Sequence, residues 1–431
     1  MKLRTNIQHL LTSDLTKKSA TLLSANVVAQ IIGLLVYPIL TRLYAPDDFG
    51  LLNLFLSIGG ILVIFSTAEY QYAIVLPKED AKARSMLQTG VAIALTVTGI
   101  VLFSVPFSQP IANLFNTPAL AQWYWLMPLY VLFSALWTLL NYYHTRYKQF
   151  GAIGSYQVSQ SVLNAGAKMG CGYAGFVRGG LICSIVFAPL AALAIDIVRT
   201  WRKGLSEVWR IIDKKECKKV AAEYANFPKY SLPRTLINNV SGNLPALLLT
   251  PFFGLTNLGF WAMALTLAFR PINMIEQSLY QVLFQHTTDK VNKHQSIMPL
   301  LRRFSLQIMA ITIPCFVGLY FILPWLTEWL LGAEWRITGH YIRVMLPWLT
   351  ASMLVAPLCF LSDIFQKQRT GLFLEILLIV SRLAGLCIGI LTKDFYYAIV
   401  GYSSASTLVI LIQAVWYACM VNRYEKSRLI D

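Results

Sequence analysis

Apolar runs long enough to cross a bilayer recur about twelve times along the chain. They lie near 19–43, 49–76, 86–108, 119–143, 153–175, 179–199, 230–253, 256–283, 303–325, 339–363, 370–391 and 395–421. A helix needs about 20 apolar residues to span roughly 30 Å of hydrocarbon. None of the runs breaks into the short alternating segments of a membrane barrel. Charged residues make up 13% of the chain and hydrophobic ones 56%, where a soluble domain carries roughly 25% charged. The expected fold class is therefore an all-α integral membrane protein. The leading stretch "MKLRTNIQHLLTSDLTKKSA" is polar and shows no cleavage motif, so the first run reads as a retained anchor.

A net charge of +16 raises the question of nucleic acid, and its placement answers it. Lys and Arg gather in alternate connections: Lys2, Arg4, Lys17 and Lys18; Lys78, Lys82 and Arg84; Arg146 and Lys148; the run 199–219; Lys290, Lys293, Arg302 and Arg303; Lys367 and Arg369; Arg423, Lys426 and Arg428. The other connections hold little beyond Arg178, Arg336, Arg343 and Lys393. This is the positive-inside pattern of a multi-pass protein with both termini cytoplasmic. Topology accounts for the charge, and no nucleic acid partner is expected.

The sequence also lacks the marks of an enzyme. Its seven cysteines stand singly, without CxxC or metal spacing. There is no GxxxxGK[ST], no HExxH and no GxSxG. The five histidines lie at connections or span ends, with no paired acid expected. No catalytic residue, metal or cofactor is anticipated.

The longest connector, "RTWRKGLSEVWRIIDKKECKKVAAEYAN", is basic and central. It suggests an N-terminal six-helix bundle over 1–198, a cytoplasmic connector over 199–227 and a C-terminal six-helix bundle over 228–431. The halves resemble each other. "YAPDDFGLLNLFLSI" lies over "FGLTNLGFWAMALTL" with Gly50 on Gly259. At a slightly larger offset Pro128 meets Pro347, Lys148 and Gln149 meet Lys367 and Gln368, and Gly170 meets Gly389. Parallel repeats of this kind build transporters whose cargo cavity lies between the halves.

Ionisable groups inside spans cost about 2.5–3.5 kcal/mol each on insertion scales, so each needs a cavity or a partner. The cations are Arg42, Lys168, Arg234, Arg270 and Arg382, and the anions Glu69, Glu276 and Glu375. Arg42 and Arg234 lie near span ends, where snorkelling is an alternative. Glu375 and Arg382 are two turns apart on one face, which suits a local pair as well as a cargo contact. Glu69 sits among tyrosines, as in an interfacial belt. The stretch "FPKYSLPRTLINNVSGNLPALLLTPFFG" places Arg234, Asn239 and Asn243 where lipid would otherwise be. Guanidinium matches phosphate bidentately, and Asn both donates to and accepts from sugar hydroxyls. These residues form the candidate substrate surface. A proton or sodium ion coupled through Glu69, Glu276 or Glu375 is the candidate energy source.

Five segments carry a family resemblance: "LTRLYAPDDFGLLNLFLSI", "YAIVLPKEDAKA", "FPKYSLPRTLINNVSGNLPALLL", "GFWAMALTLAFRP" and "LLGAEWRITGHYIRVMLP". In this order they resemble the Wzx-type polysaccharide flippases of the multidrug/oligosaccharidyl-lipid/polysaccharide exporter superfamily, over nearly the whole chain. The resemblance implies two six-helix bundles around a central cavity. It implies alternating-access translocation of undecaprenyl-pyrophosphate-linked oligosaccharide across the bacterial inner membrane, for O-antigen or another surface polysaccharide. Arg42, Lys168, Arg234, Arg270 and Arg382 would line the cavity. A polysaccharide polymerase and a chain-length regulator would be partners, beside membrane lipid. Relatives often read Arg-Tyr-Glu where this chain has Glu69, Tyr70 and Gln71, which removes a cation from span two. Three other classes stay open: a drug exporter of the same superfamily, a membrane polysaccharide-assembly enzyme, and a non-transporting scaffold.

Reporter fusions at residue 210 and at the C-terminus should both read cytoplasmic. A periplasmic reading at either one overturns the topology.

Overall fold

The computed structural model describes residues 14–201, 205–210, 213–365 and 367–428. Basic Lys2 and Arg4 lie outside the described residues, as do 202–204 and 211–212 of the connector. The long helices are α1 (Asp14–Leu35), α2 (Pro46–Thr67), α3 (Asp80–Ser104), α4 (Met127–Arg146), α5 (Phe150–Tyr173), α6 (Val177–Thr200), α7 (Leu232–Asn292), α8 (Met298–Leu331), α9 (Arg336–Val355), α10 (Gln368–Thr392) and α11 (Phe395–Arg428). Among the described residues there is no strand. The chain is an all-α integral membrane protein.

Among the described residues, ten stretches are long and apolar enough to cross a membrane, and the difference from twelve has two sources. The α7 stretch counts once, although Gly254, at φ 77° and ψ 179°, breaks it into two crossing lengths. L-residues avoid that backbone region, and glycine enters it freely. No atom lies within 4 Å of a Cβ placed there, so conformation rather than space demands the glycine. The second source is α5, whose 24 residues are long enough but fall outside the apolar set.

By packing, the chain divides into two compact units, Met1–Pro251 and Phe252–Asp431. This boundary falls at the Gly254 break, not at the connector. The connector is folded rather than loose: it forms short helices Ser206–Arg210 and Lys214–Glu223. They are tied to the first unit by Tyr70 Oη donating to the Ala221 carbonyl at 3.0 Å and by ion pairs Lys82–Glu223 and Arg84–Glu207. Gln88 also donates to the Val208 carbonyl. The six-plus-six partition concerns repeats along the chain, which compactness does not decide.

In the first unit, Ile74, Met86, Leu139, Tyr156, Leu193 and Val220 belong to one buried cluster. Lipid is as apolar as this core, so close packing and internal hydrogen bonds must hold the helices together. The second unit shows how close they come. A Cβ on Gly385 of α10 would lie 2.4 Å from the Gly401 carbonyl of α11, and one on Gly389 would lie 2.2 Å from Ala398. Small residues here let two backbones touch.

Gly385→Ala should therefore lower the thermal midpoint of the detergent-purified protein, since overpacking costs about 1–3 kcal/mol. Gly99→Ala, with no atom within 4 Å of the added Cβ, should leave the midpoint unchanged or raise it. Equal midpoints for the wild type and Gly385→Ala overturn the close-packing account.

Candidate functional site

The start of α7 is irregular for a stated reason. Pro228 and Pro233 lack the N–H that an α-helix needs, and Phe227–Ser231 winds as a π turn before α7 begins. The irregular segment faces the end of α2, where Ala68 and Glu69 take left-handed φ values of 48° and 63°. Left-handed backbone at two adjacent non-glycine residues is strained. It ends α2 and turns Glu69 inward.

A cleft of about 450 Å³ opens between these two elements, wholly within the first unit. Its lining is Glu69, Tyr72, Ser231, Arg234, Thr235, Asn238 and Asn239. Positions 231, 234, 235 and 238 follow i, i+3, i+4, i+7 spacing, which puts them on one helical face. Arg234 and Asn238 are exposed, and Asn239 is half-buried. Arg234 has no ion-pair partner among the described residues. Glu69 is only 3% exposed. It lies within hydrogen-bonding reach of Gln71 and Thr235, while its Oε2 has no hydrogen-bond partner among the described residues. The Tyr72 ring stacks on Phe227 at 6.2 Å and meets Tyr142 edge-on at 5.1 Å, which makes a firm aromatic wall.

The sequence reading placed Arg234, Asn239 and Asn243 on one surface; the structure keeps Arg234 and Asn239 together in the cleft lining and sets Asn243 apart. Asn243 Oδ1 accepts from Ser57 Oγ at 2.9 Å, and its Nδ2 donates to the Asn239 carbonyl at 2.9 Å. Its side chain joins α7 to α2 and does not line the cleft. Asn238, Thr235, Ser231 and Tyr72 were missed as site residues. The i+4 step from Arg234 to Asn238 was the signal that could have found them.

The remaining candidates lie elsewhere. Arg42 is exposed in the short helix Tyr37–Leu43. Lys168 is half-buried in α5. Its carbonyl accepts from Tyr44 Oη at 2.7 Å, and burial lifts the Tyr44 phenol well above its ordinary range, so that it stays a neutral donor. Arg270, Glu276, Glu375 and Arg382 belong to the second unit. Ser352 Oγ donates to Glu276 Oε1 at 2.9 Å, and Glu375 and Arg270 are half-buried. Arg382 is 9% exposed, donates to Ser406 Oγ at 2.9 Å, and lies 5.3 Å from the Trp348 ring centre and 4.9 Å from that of Tyr402. Two aromatic faces and a hydroxyl satisfy this cation where it stands. His144 was expected to lack a paired acid, but its Nε2 is 2.8 Å from Asp196 Oδ2, with Gln149 Oε1 2.9 Å from its other nitrogen. Both members of the pair are buried, so it serves packing between α4 and α6.

An arginine without an acid partner, flanked by amides, hydroxyls and one aromatic wall, can hold an anionic group that also carries hydroxyls. Residues 39–340 match the family of polysaccharide biosynthesis proteins, and the chain belongs to that family. No curated protein matches the sequence. Among solved structures, the chain resembles the lipid II flippase MurJ in an inward closed conformation, with TM-score 0.72 and 12% identity over 96% of this chain and 90% of that one. It likewise resembles an inward-facing multidrug resistance MATE family transporter of the MOP superfamily, with TM-score 0.71 and 12% identity over 92% and 96%. A Vibrio cholerae MATE transporter aligns at TM-score 0.57 and 16% identity over 95% and 96%. The family is that of polysaccharide biosynthesis proteins, and the fold is one shared with these transporters.

After replacement of the seven native cysteines, Asn238→Cys should react rapidly with a small aqueous thiol reagent and Asn243→Cys slowly. Equal rates at the two positions overturn the assignment of the cleft-facing side of α7.

Proposed function

We propose that this protein flips an undecaprenyl-pyrophosphate-linked oligosaccharide across the bacterial inner membrane for O-antigen or another surface polysaccharide. The observation that carries the reading is Arg234, without an ion-pair partner among the described residues, in a cleft lined besides by amides, hydroxyls and the Glu69 carboxyl. A pyrophosphate and its sugars cannot cross hydrocarbon unaided, because each charged or polar group loses its water. Arg234 offers phosphate two parallel N–H donors. Asn238, Asn239, Ser231 and Thr235 offer the mixed donors and acceptors that sugar hydroxyls need. A cleft open to one membrane face at a time would carry the head group while the polyprenyl tail stays in lipid. The unit delivered this way would pass to a polysaccharide polymerase and a chain-length regulator.

Glu69 is the coupling residue on this reading. It lines the cleft with Arg234 without pairing to it. An ionised Glu69 would compete with phosphate for the guanidinium, and a protonated one would not. Proton binding and cargo binding would then favour each other, which is a coupling free energy between two groups in one cleft. Export of a cationic drug is disfavoured, because such a cargo would leave Arg234 uncompensated.

Arg234→Ala should cut surface polysaccharide export at least about tenfold, the loss expected of a hydrogen bond to a charged group. Lipid-linked oligosaccharide should then accumulate on the inner face, and Arg234→Lys should retain part of the activity. Normal surface polysaccharide from Arg234→Ala at equal expression in a null strain overturns the proposal. Glu69→Gln should flatten the pH dependence of transport in proteoliposomes, and an unchanged pH profile removes Glu69 from coupling.

A further inference from the structure

The second unit contains its own cavity, about 740 Å³, which none of the preceding argument uses. It is lined by Phe253 and Asn257 at the start of the second α7 segment, Ile337, His340 and Tyr341 at the start of α9, and 392–396 at the α10–α11 turn. These three helix junctions share one end of the unit. At the other end, Glu425 Oε1 accepts from Ser296 Oγ, Ile297 N and Met298 N at 2.8–3.0 Å and closes the turn that carries Lys290 and Lys293. The cavity is thus at the end away from the basic turns, which under the topology above is the far face of the membrane.

Its walls divide by chemistry. Phe395 is buried as a floor, with Phe253 at 5.5 Å and Tyr341 at 5.6 Å between ring centres, and Tyr396 is 43% exposed. The same lining holds Asn257, His340, Lys393 and Asp394, with Tyr341 Oη 3.4 Å from Asn257 Oδ1. Asp394 Oδ1 caps α11 by accepting the Tyr396 N–H at 2.8 Å. Lys393 has no ion-pair partner among the described residues. It ends α10 in the left-handed conformation at φ 56° and ψ 29°, a position where glycine is the common residue. A lysine there bears backbone strain that glycine would not.

We infer that this cavity is a saccharide-binding site, which receives the glycan of the cargo on the far side of the membrane. The inference rests on the flippase reading for its ligand and on the cavity alone for its chemistry. One cation and one anion leave the lining near neutral, which suits neither a phosphate cluster nor a multiply charged drug. Hydroxyl groups, by contrast, bond to ammonium, carboxylate and amide alike. The exposed ring of Tyr396 gives an apolar face for the C–H side of a sugar, with its hydroxyl at the polar edge. The volume falls within the roughly 300–1,000 Å³ of small-molecule sites. A second site of this kind would hold the sugars after they leave the first-unit cleft, so that release of phosphate need not wait for release of the whole glycan.

The probe is the water-soluble glycan released by mild acid from the source cell's own lipid-linked pool. Binding is measured by saturation-transfer NMR and calorimetry on the detergent-purified full chain, with maltotriose as a control sugar. The wild type should bind the glycan saturably and more tightly than maltotriose. Tyr396→Ala and Lys393→Gly should each weaken binding about tenfold or more. Lys393→Gly relieves the left-handed strain, so its thermal midpoint should not fall, and lost binding cannot be ascribed to misfolding. Arg234→Ala should bind the free glycan like wild type while failing in export. No saturable binding by wild type, equal affinity for maltotriose, or wild-type affinity in both cavity variants overturns the inference. If Arg234→Ala alone loses glycan binding, the sugars sit in the first-unit cleft; the saccharide cavity is then wrong while the flippase reading survives.

Discussion

In hydrocarbon, a backbone N–H or C=O has only the chain itself to bond with, and each group left unsatisfied costs several kcal/mol. Helices follow from that constraint, and so does the conduct of the polar side chains on them. Many hydroxyls turn back to a carbonyl one turn earlier, as Thr41 does to Tyr37, Ser184 to Gly180 and Thr312 to Ile308. Asn243 bridges to Ser57 and to its own helix. Two breaks in the helical pattern fall where the residue chemistry permits them: Gly254 at a positive φ, and the π turn over Phe227–Ser231 that contains Pro228.

Against this background the informative groups are those left unpaired. Arg382 and Arg234 are the same residue with opposite treatments. Arg382 is buried between Trp348 and Tyr402 and bonded to Ser406, so its charge is satisfied within the second unit. Arg234 faces a cleft with an unpaired head and amides around it. A charge satisfied by its own fold has little to offer a ligand. A charge left open is one whose stabilisation awaits something else. The same contrast separates the buried His144–Asp196 pair from Glu69, which keeps one carboxylate oxygen without a partner.

On the proposed reading, two cavities in two separate units would divide the chemistry that a lipid-linked sugar presents. The first-unit cleft has the guanidinium for phosphate, and the second-unit cavity has rings and near-neutral polar groups suited to the glycan. A transporter that moves a large amphipathic cargo gains from such a division. No single site need bind the whole head group tightly enough to trap it, and weak binding at several sites lets the cargo leave.

The membrane class, the helical fold and the crossing-length runs were legible in the sequence, because hydrophobicity over about 20 residues is a local property of the chain. The polar start of α7 was legible for the same reason: three asparagines and an arginine inside an apolar run stand out without any knowledge of neighbours. What they touch was not legible. Asn243 meets Ser57 across 186 residues of chain, and Asn238 rather than Asn243 shares the cleft with Arg234. Spacing left Arg382 open between a local pair and a cargo contact, and its place between Trp348 and Tyr402 came only from the fold. The 450 Å³ and 740 Å³ cavities, the pairing of His144 with Asp196 and the folding of the connector onto the first unit were likewise decided only in three dimensions. The physical reason is common to all of them. Periodicity and composition state which side of a helix is polar, but whether a polar group is paired or open depends on which distant helix packs against it.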